Sequence, residues 1–179
     1  FRRRLIRRME TLRVGMPLDK AIDMGAVVAP VQLERIKSLV ETGVKEGAEK
    51  YQASGPIPAE GCFYPPTLLW NVHPSATVAT EEIFGPVISA ISFKDPDELI
   101  KRANATTFGL GSGVWTTNVS KAHQVAKALR AGSVWVNCYQ AMDPAVPFGG
   151  YKMSGYGRES GKQHVEEYLN VKAVWIKTA

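Results

Sequence analysis

The sequence predicts an α/β fold built on a parallel β-sheet with helices on both faces. Segments with the apolar spacing of helices alternate with short apolar segments typical of strands, an order that favours a parallel sheet. Residues 86–93 form a nearly continuous apolar run, as expected of a strand covered on both faces. The chain has 179 residues, of which 45% are hydrophobic, and is therefore long enough for one sizeable core.

The first thirteen residues predict an amphipathic helix whose polar face is rich in arginine. Leu5, Met9 and Leu12 recur at helical spacing, which leaves the arginines to solvent or to another chain. A nucleic-acid-binding surface is the alternative explanation for these charges. We favour the solvated face, because no recognition motif accompanies it. No capping residue precedes this helix, so we expect the chain to be part of a longer protein.

The next elements also follow from local patterns. A helix is predicted over residues 30–48, because Pro30 suits a first turn and one face is apolar. The residues on that face are Leu33, Ile36, Val40 and Val44. A short strand is predicted over residues 49–54. Residues 62–72 are apolar but contain two successive prolines, which predicts an edge strand or a split one.

Capping residues define the helices of the second half. Asp95 precedes a proline and can cap a helix, with Glu98 completing a capping-box-like pair. Asn118 can cap the next helix, which we expect to end at Gly132. Strands are predicted over residues 109–116 and 133–137, and a further helix over residues 159–169. The small side chains of the first of these strands indicate close packing against a neighbouring backbone.

The last predicted strand, over residues 171–177, alternates apolar and polar side chains. A strand of this kind at the end of a chain either pairs within its own sheet or forms an edge for another subunit.

Residues 81–87, with the sequence EEIFGPV, predict a rigid turn that presents a carboxylate and a ring. Neighbouring side chains in an extended segment point to opposite sides, so we expect one glutamate to face a ligand and the other to pair with a surface cation. Phe84 offers a flat apolar face, Gly85 permits unusual dihedral angles, and Pro86 fixes the exit direction.

This turn, together with the stretch PFGGYKMSGYGRE at residues 147–159, resembles the aldehyde dehydrogenase superfamily. The resemblance covers the whole chain but matches only the C-terminal part of such an enzyme. It implies part of an aldehyde dehydrogenase catalytic domain over residues 1–169 and an oligomerisation strand over residues 170–179. It also implies NAD or NADP as the cofactor, with Glu82 accepting hydrogen bonds from the nicotinamide ribose and Phe84 packing near the nicotinamide. A carboxylate suits two vicinal hydroxyls, because it can accept from both.

The resemblance further implies that an aldehyde tunnel follows the strand at residues 133–137. By position, Gln140, Met142 and Phe148 would line it, with Asn137 at the strand end close to the reactive centre. Such a wall suits an apolar or amphipathic aldehyde. Ordinary core packing is an equal alternative for Met142 and Phe148. Many relatives carry an acidic or aromatic side chain where Gln140 and Met142 stand, so the size and polarity of the aldehyde stay open.

The resemblance places the catalytic groups upstream of this chain. Family members attack the aldehyde with a cysteine thiolate, pass hydride from the thiohemiacetal to NAD(P), and hydrolyse the thioester with a glutamate base. We therefore assign no catalytic residue here and expect the chain alone to be inactive. Neither Cys62 nor Cys138 has a neighbouring His or Lys in sequence, and the histidines lack metal-ligand spacing.

Two functions are consistent with the sequence. The first is a fragment of an NAD(P)-dependent enzyme that oxidises an aldehyde to a carboxylic acid, and the second is a non-catalytic module for oligomer assembly. We expect a small-molecule aldehyde and a homo-oligomer, dimer or tetramer, as partners, and neither nucleic acid nor membrane. Two cysteines in the chain favour the cytoplasm or the mitochondrial matrix. The cofactor assignment requires Glu82 and Phe84 to lie at the mouth of a recess.

Overall fold

The computed structural model describes residues 1–178, which form two compact units that divide between Phe93 and Lys94. Helices and strands occur in both units, so the predicted α/β class is confirmed. The elements of the first unit are α1 (Arg2–Met9), α2 (Pro30–Lys45), β1 (Glu49–Gln52), β2 (Thr67–Trp70), α3 (Thr77–Thr80) and β3 (Val87–Ser89). Those of the second are α4 (Pro96–Ala103), β4 (Phe108–Gly109), β5 (Gly111–Val114), α5 (Val119–Ala128), β6 (Ser133–Val136), β7 (Tyr151–Lys152) and α6 (Gly161–Glu166). No helix within residues 1–178 is long and apolar enough to cross a membrane.

The sheet of the first unit has the order β1-β2-β3, with β1 antiparallel and β3 parallel to β2. Of the two alternatives predicted for residues 62–72, the edge position is wrong, and the split is what the structure has, because only Thr67–Trp70, after the two prolines, forms a strand. Pro65 and Pro66 lie before the strand, where their missing N–H groups interrupt no ladder, and the Pro66 carbonyl accepts from Ala53 N at 2.9 Å. Leu68 and Leu69, inside β2, are fully buried.

Strand β3 is shorter and less covered than the sequence predicts. It spans three residues of the apolar run at 86–93, and Ile88 at its centre is 48% exposed. The expectation of a strand covered on both faces is wrong for the described residues. β3 pairs only with β2, and Val87 and Ile91 pack against the core while Ile88 faces the other side.

Helix α2 packs on this sheet through Ile36, Val40 and Gly43. A Cβ on Gly43 would lie 2.9 Å from Val78, so only glycine fits here without a shift of its neighbour. Val44 was predicted on the buried face but is 42% exposed. The helix thus turns its glycine, rather than its last valine, towards α3 and the sheet.

Helix α1 confirms the amphipathic prediction, because Met9 is buried with Leu5 and Ile6 packed around it. Its start is held by Arg2, whose guanidinium bonds to Glu49 at 2.7 Å and lies over the Trp70 ring at 5.5 Å. The helix therefore contacts β1 and β2 through its apolar stripe and through one of its arginines.

In the second unit, β5 and β6 form a parallel pair, and β4 and β7 an antiparallel one. The predicted caps are confirmed. Asp95 Oδ1 accepts from Glu98 N at 2.9 Å, and Asn118 Oδ1 accepts from Lys121 N at 2.9 Å. Glu98 Oε2 accepts from Lys94 N at 2.6 Å, one residue before the cap itself. Helix α5 ends at Ala128, four residues before the predicted stop at Gly132.

The Asn118 cap of α5 contributes to the stability of the fold, and this contribution can be measured. We expect Asn118→Ala to lower the free energy of unfolding by about 1 kcal/mol, because a free N–H of the first turn loses its acceptor. Ser120→Ala is the matched control, since Ser120 is exposed in the same first turn and caps nothing. Denaturant unfolding of both variants checks the prediction, and equal stabilities would contradict it.

Residues 171–177 form no strand in the structure. Strand backbone needs a neighbouring ladder, and this segment has none within residues 1–178. Its apolar side chains are exposed, with Val171, Trp175 and Ile176 at 100%, 94% and 83%. Its assignment to oligomerisation stays a prediction, as does the boundary after residue 169. Ala179, the last residue of that predicted strand, lies outside the described residues.

Candidate functional site

The turn at residues 81–87 is held in place by helix α2. Gln32 Nε2 donates to the carbonyl oxygens of Ile83 and Phe84 at 3.0 and 3.1 Å. The Ile83 side chain is buried in the core, and a Cβ on Gly85 would lie 2.7 Å from Ile36 Cγ1. The turn is therefore pressed against the helix, and glycine at position 85 permits this close approach.

Phe84 adopts an unusual backbone conformation, with φ at +55°. Non-glycine residues in this region carry a strain of roughly 1 to 3 kcal/mol, which the surrounding contacts must offset. Two contacts next to Phe84 do so: the Gln32 side-chain amide, which bonds to the Ile83 and Phe84 carbonyl oxygens, and the buried Ile83 side chain. The Phe84 ring is 68% exposed, so the turn presents it outward rather than packing it.

The two glutamates of the turn differ in their partners. Glu81 forms an ion pair with Arg35 at 3.7 Å, and Arg35 also donates to the Glu82 carbonyl oxygen at 3.4 Å. The Glu82 carboxylate is exposed and bonds to no group in the part of the chain that the structure describes. The predicted pairing of one glutamate with a surface cation is confirmed. The free carboxylate is able to accept hydrogen bonds from a ligand that carries hydroxyl groups.

Glu82 and Phe84 both lie on the surface of the first unit. They are neighbours on one short turn, which agrees with a shared ligand. Both side chains are exposed, Phe84 at 68%, so the recess that the cofactor assignment requires is not seen around them within residues 1–178. The assignment of both residues to cofactor binding stays a prediction.

Asn137 follows β6 in the second unit and ties that strand to β5. Its Oδ1 accepts from Thr116 N at 2.9 Å, and its Nδ2 donates to Thr116 O at 3.0 Å. The side-chain amide thus pairs with the backbone as the next residue of a strand would. Its φ of +56° turns the main chain away from the sheet. The Asn137 amide is used within the protein, and its predicted place near a reactive centre is not tested by this contact.

The remaining tunnel candidates lie on the segment that follows. Met142 and Phe148 line one cavity of about 310 Å³ together with Trp135. Met142 is 59% exposed and Phe148 is half-buried, which for Met142 favours a cavity wall over core packing. Gln140 is exposed, with φ at +56°. Their assignment to an aldehyde tunnel stays a prediction.

Three side chains that shape these sites were not singled out from the sequence. Gln32 and Trp135 donate to main-chain carbonyls of the two candidate sites, and Arg35 pairs with Glu81. Gln32 lies 51 residues from the turn that it holds, and local patterns carry no signal for such a contact. For Trp135 the glycine at position 111 of the preceding strand was a signal, since its missing side chain leaves room for a large ring.

Several shifted pKa values belong to two structural contacts near the end of α1. The Tyr51 hydroxyl donates to Glu10, which lowers the pKa of Glu10 and raises that of Tyr51. Arg13 bonds to Asp23 at 2.9 Å and lowers the pKa of Asp23 to about 2. These groups join α1 to β1 and to the following loop. Among residues 1–178, no group of three or more His, Cys, Asp or Glu side chains could hold a metal ion.

Comparison with known proteins gives one consistent result. A sequence model described as the aldehyde dehydrogenase family matches residues 1–174. Aldehyde dehydrogenase 1 of Tanacetum cinerariifolium is 46% identical over 97% of this chain and 35% of its own length. Aldehyde dehydrogenase 1A1 of Gallus gallus is 46% identical over 99% of this chain and 35% of its own length. This chain therefore spans about a third of the length of these relatives.

A solved structure agrees with these sequence relatives. It is a mutant of the P. syringae indole-3-acetaldehyde dehydrogenase AldA in complex with NAD+ and IAA. It superposes with a TM-score of 0.92 at 41% identity, covering 99% of this chain and 36% of that protein. Similarity of this extent shows the fold as well as the family relationship.

Proposed function

The chain belongs to the aldehyde dehydrogenase family, and we propose that it forms the C-terminal part of an NAD(P)-dependent enzyme that oxidises an aldehyde to a carboxylic acid. The observation that carries the proposal is the turn at residues 81–87, which exposes a free carboxylate and a ring two residues apart. The catalytic cysteine and the general-base glutamate are proposed to lie upstream. This chain alone is then inactive.

We propose that Glu82 and Phe84 hold the nicotinamide half of NAD(P). The chemistry of the two side chains fits that group, because a carboxylate accepts from vicinal ribose hydroxyls and an exposed ring offers a flat apolar face. When bound, the cofactor accepts the hydride that leaves the aldehyde carbon. Gln32 and Arg35 hold the main chain of the turn, so the backbone positions from which the carboxylate and the ring project are set before the ligand arrives.

The aldehyde is proposed to contact the segment that follows β6. Gln140, Met142 and Phe148 would line its path, with Asn137 at the start of the segment. Met142 and Phe148 share one cavity, which supports a common role. Their apolar surface would exclude water from the reacting carbon and favour an apolar or amphipathic aldehyde.

Assembly into a homo-oligomer, dimer or tetramer, is a second proposal for the same chain. The exposed apolar side chains among residues 171–176 favour it, because exposed apolar surface gains by burial against a partner. A non-catalytic module serving only assembly would need these residues but not a free carboxylate beside an outward ring. We therefore place assembly beside catalysis rather than instead of it, in the cytoplasm or the mitochondrial matrix.

The test uses the complete protein that contains this chain. We expect it to form NADH or NADPH when given NAD+ or NADP+ with a panel of aliphatic and aromatic aldehydes, as followed by absorbance. The isolated chain, assayed beside it, should form neither. A complete protein that is folded and oligomeric by light scattering, yet inactive with every aldehyde and both cofactors, would favour the assembly module.

A further inference from the structure

We infer that Trp135 is a positioning residue that sets which aldehydes fit, by holding residues 137–142 in one conformation. The inference rests on the proposed function, because it concerns the segment proposed to line the aldehyde's path. Trp135 itself acts through the main chain of that segment.

The Trp135 ring is held by contacts with the neighbouring strand and with a second ring. It lies across Gly111 of the neighbouring strand β5, where a Cβ would come within 3.0 Å of Trp135 Cζ3. Its ring centroid is also 5.0 Å from that of Tyr139, at an interplanar angle of 59°. With the ring fixed, its N–H has one direction, and Nε1 donates to the Ala141 carbonyl oxygen at 2.8 Å.

The segment that receives this hydrogen bond is strained. Asn137 and Gln140 both have φ near +56°, a region that costs side chains other than glycine roughly 1 to 3 kcal/mol. Asn137 is held by its two bonds to Thr116. Ala141 directly follows Gln140, so the hydrogen bond from Trp135 to the Ala141 carbonyl oxygen holds the main chain on the C-terminal side of the strained Gln140. Without it, relaxation of Gln140 towards an ordinary conformation becomes favourable.

Relaxation at Gln140 would displace the side chains proposed to meet the aldehyde. Ala141 lies between Gln140 and Met142, and both would move with its peptide bonds. Met142, Phe148 and Trp135 line the same cavity, so its width depends on where the Ala141 carbonyl is held. A bulky aldehyde would be affected by this change more than a short one, which need not reach the segment.

The experiment removes the indole N–H in the full-length enzyme. Trp135→Phe deletes it, and replacement of Trp135 by 3-benzothienylalanine exchanges the N–H for sulfur at nearly unchanged size. Trp115→Phe is the matched control. The Trp115 ring also contacts Tyr139, at 6.2 Å, but its N–H makes no bond with residues 1–178. We measure kcat and KM with acetaldehyde and with a bulky aromatic aldehyde, and KM for the cofactor.

We expect both Trp135 replacements to change the ratio of kcat/KM between the two aldehydes by about 3- to 10-fold, as loss of one hydrogen bond allows. The change should lie in the aldehyde KM, while the cofactor KM moves less than about 2-fold and Trp115→Phe changes the ratio less than about 2-fold. A benzothienyl enzyme with the wild-type ratio overturns the inference, even if Trp135→Phe fails to fold, because its ring keeps the packing. Failure of the proposed function is separate, since the wild-type protein would then oxidise neither aldehyde.

Discussion

Glu82→Gln in the complete enzyme is expected to slow the formation of reduced cofactor by about 10- to 100-fold, as loss of charge-assisted hydrogen bonds implies. Glutamine keeps the size of the side chain but offers one acceptor oxygen without charge. The fold should be unaffected, because the Glu82 carboxylate is exposed and bonds to no group within residues 1–178. Stopped-flow measurement of cofactor reduction and the thermal midpoint together separate the two effects.

Glu81→Gln is the control, because the same chemical change is made one residue away. Glu81 pairs with Arg35 at 3.7 Å, and both side chains are more than half exposed. Exposed pairs of this kind contribute about 0 to 1 kcal/mol to stability, and Glu81 is assigned no ligand. We expect the rate of cofactor reduction to change less than about 3-fold. Equal rates in the Glu81 and Glu82 variants would remove Glu82 from its proposed role.

Gly132→Ala should have the largest effect on folding in the second unit. A Cβ at this position would collide with the Gly149 carbonyl oxygen and lie 2.7 Å from the Gly149 carbonyl carbon. Backbone cannot yield as the end of a flexible side chain can, so we expect a loss of about 3 kcal/mol or more of stability. The contact also sets the segment that carries Phe148 beside the start of β6. Soluble yield and thermal midpoint measure the effect.

Gly157→Ala provides the comparison for that clash. Within residues 1–178, a Cβ at position 157 would meet no heavy atom of another segment within 4 Å, and the φ of Gly157 lies outside the left-handed region. The substitution should change stability by less than about 0.5 kcal/mol, as is usual for open surface positions. If both alanine variants have the same thermal midpoint as the wild type, the tight packing of Gly132 against Gly149 is contradicted.

The features that the sequence predicted correctly are local ones. The caps at Asp95 and Asn118 depend on residues within three positions, and the structure contains both bonds. The pairing of one glutamate of the turn with a cation was predicted from the alternation of side chains, whereas its partner Arg35, 46 positions from Glu81, was not. Local chemistry decided these outcomes, and tertiary packing did not oppose it.

The features that the sequence missed depend on contacts between distant segments. The two prolines at 65 and 66 left an edge strand and a split one as alternatives, and only the pairing of β2 with both β1 and β3 shows that the strand after them is central. The bond from Gln32 to Phe84 spans 52 positions, and those from Asn137 to Thr116 span 21. Such contacts exist only after the chain has folded, and hydrophobic periodicity does not encode them.

We propose above all that the Glu82 carboxylate and the Phe84 ring, on the turn at residues 81–87, bind the nicotinamide half of the cofactor. A crystal structure of the complete protein with NAD+ bound tests it most directly. The account predicts the Glu82 carboxylate within about 3.2 Å of the ribose hydroxyls, which is hydrogen-bonding distance, and the Phe84 ring against the nicotinamide. A bound cofactor that leaves both side chains in solvent would contradict it.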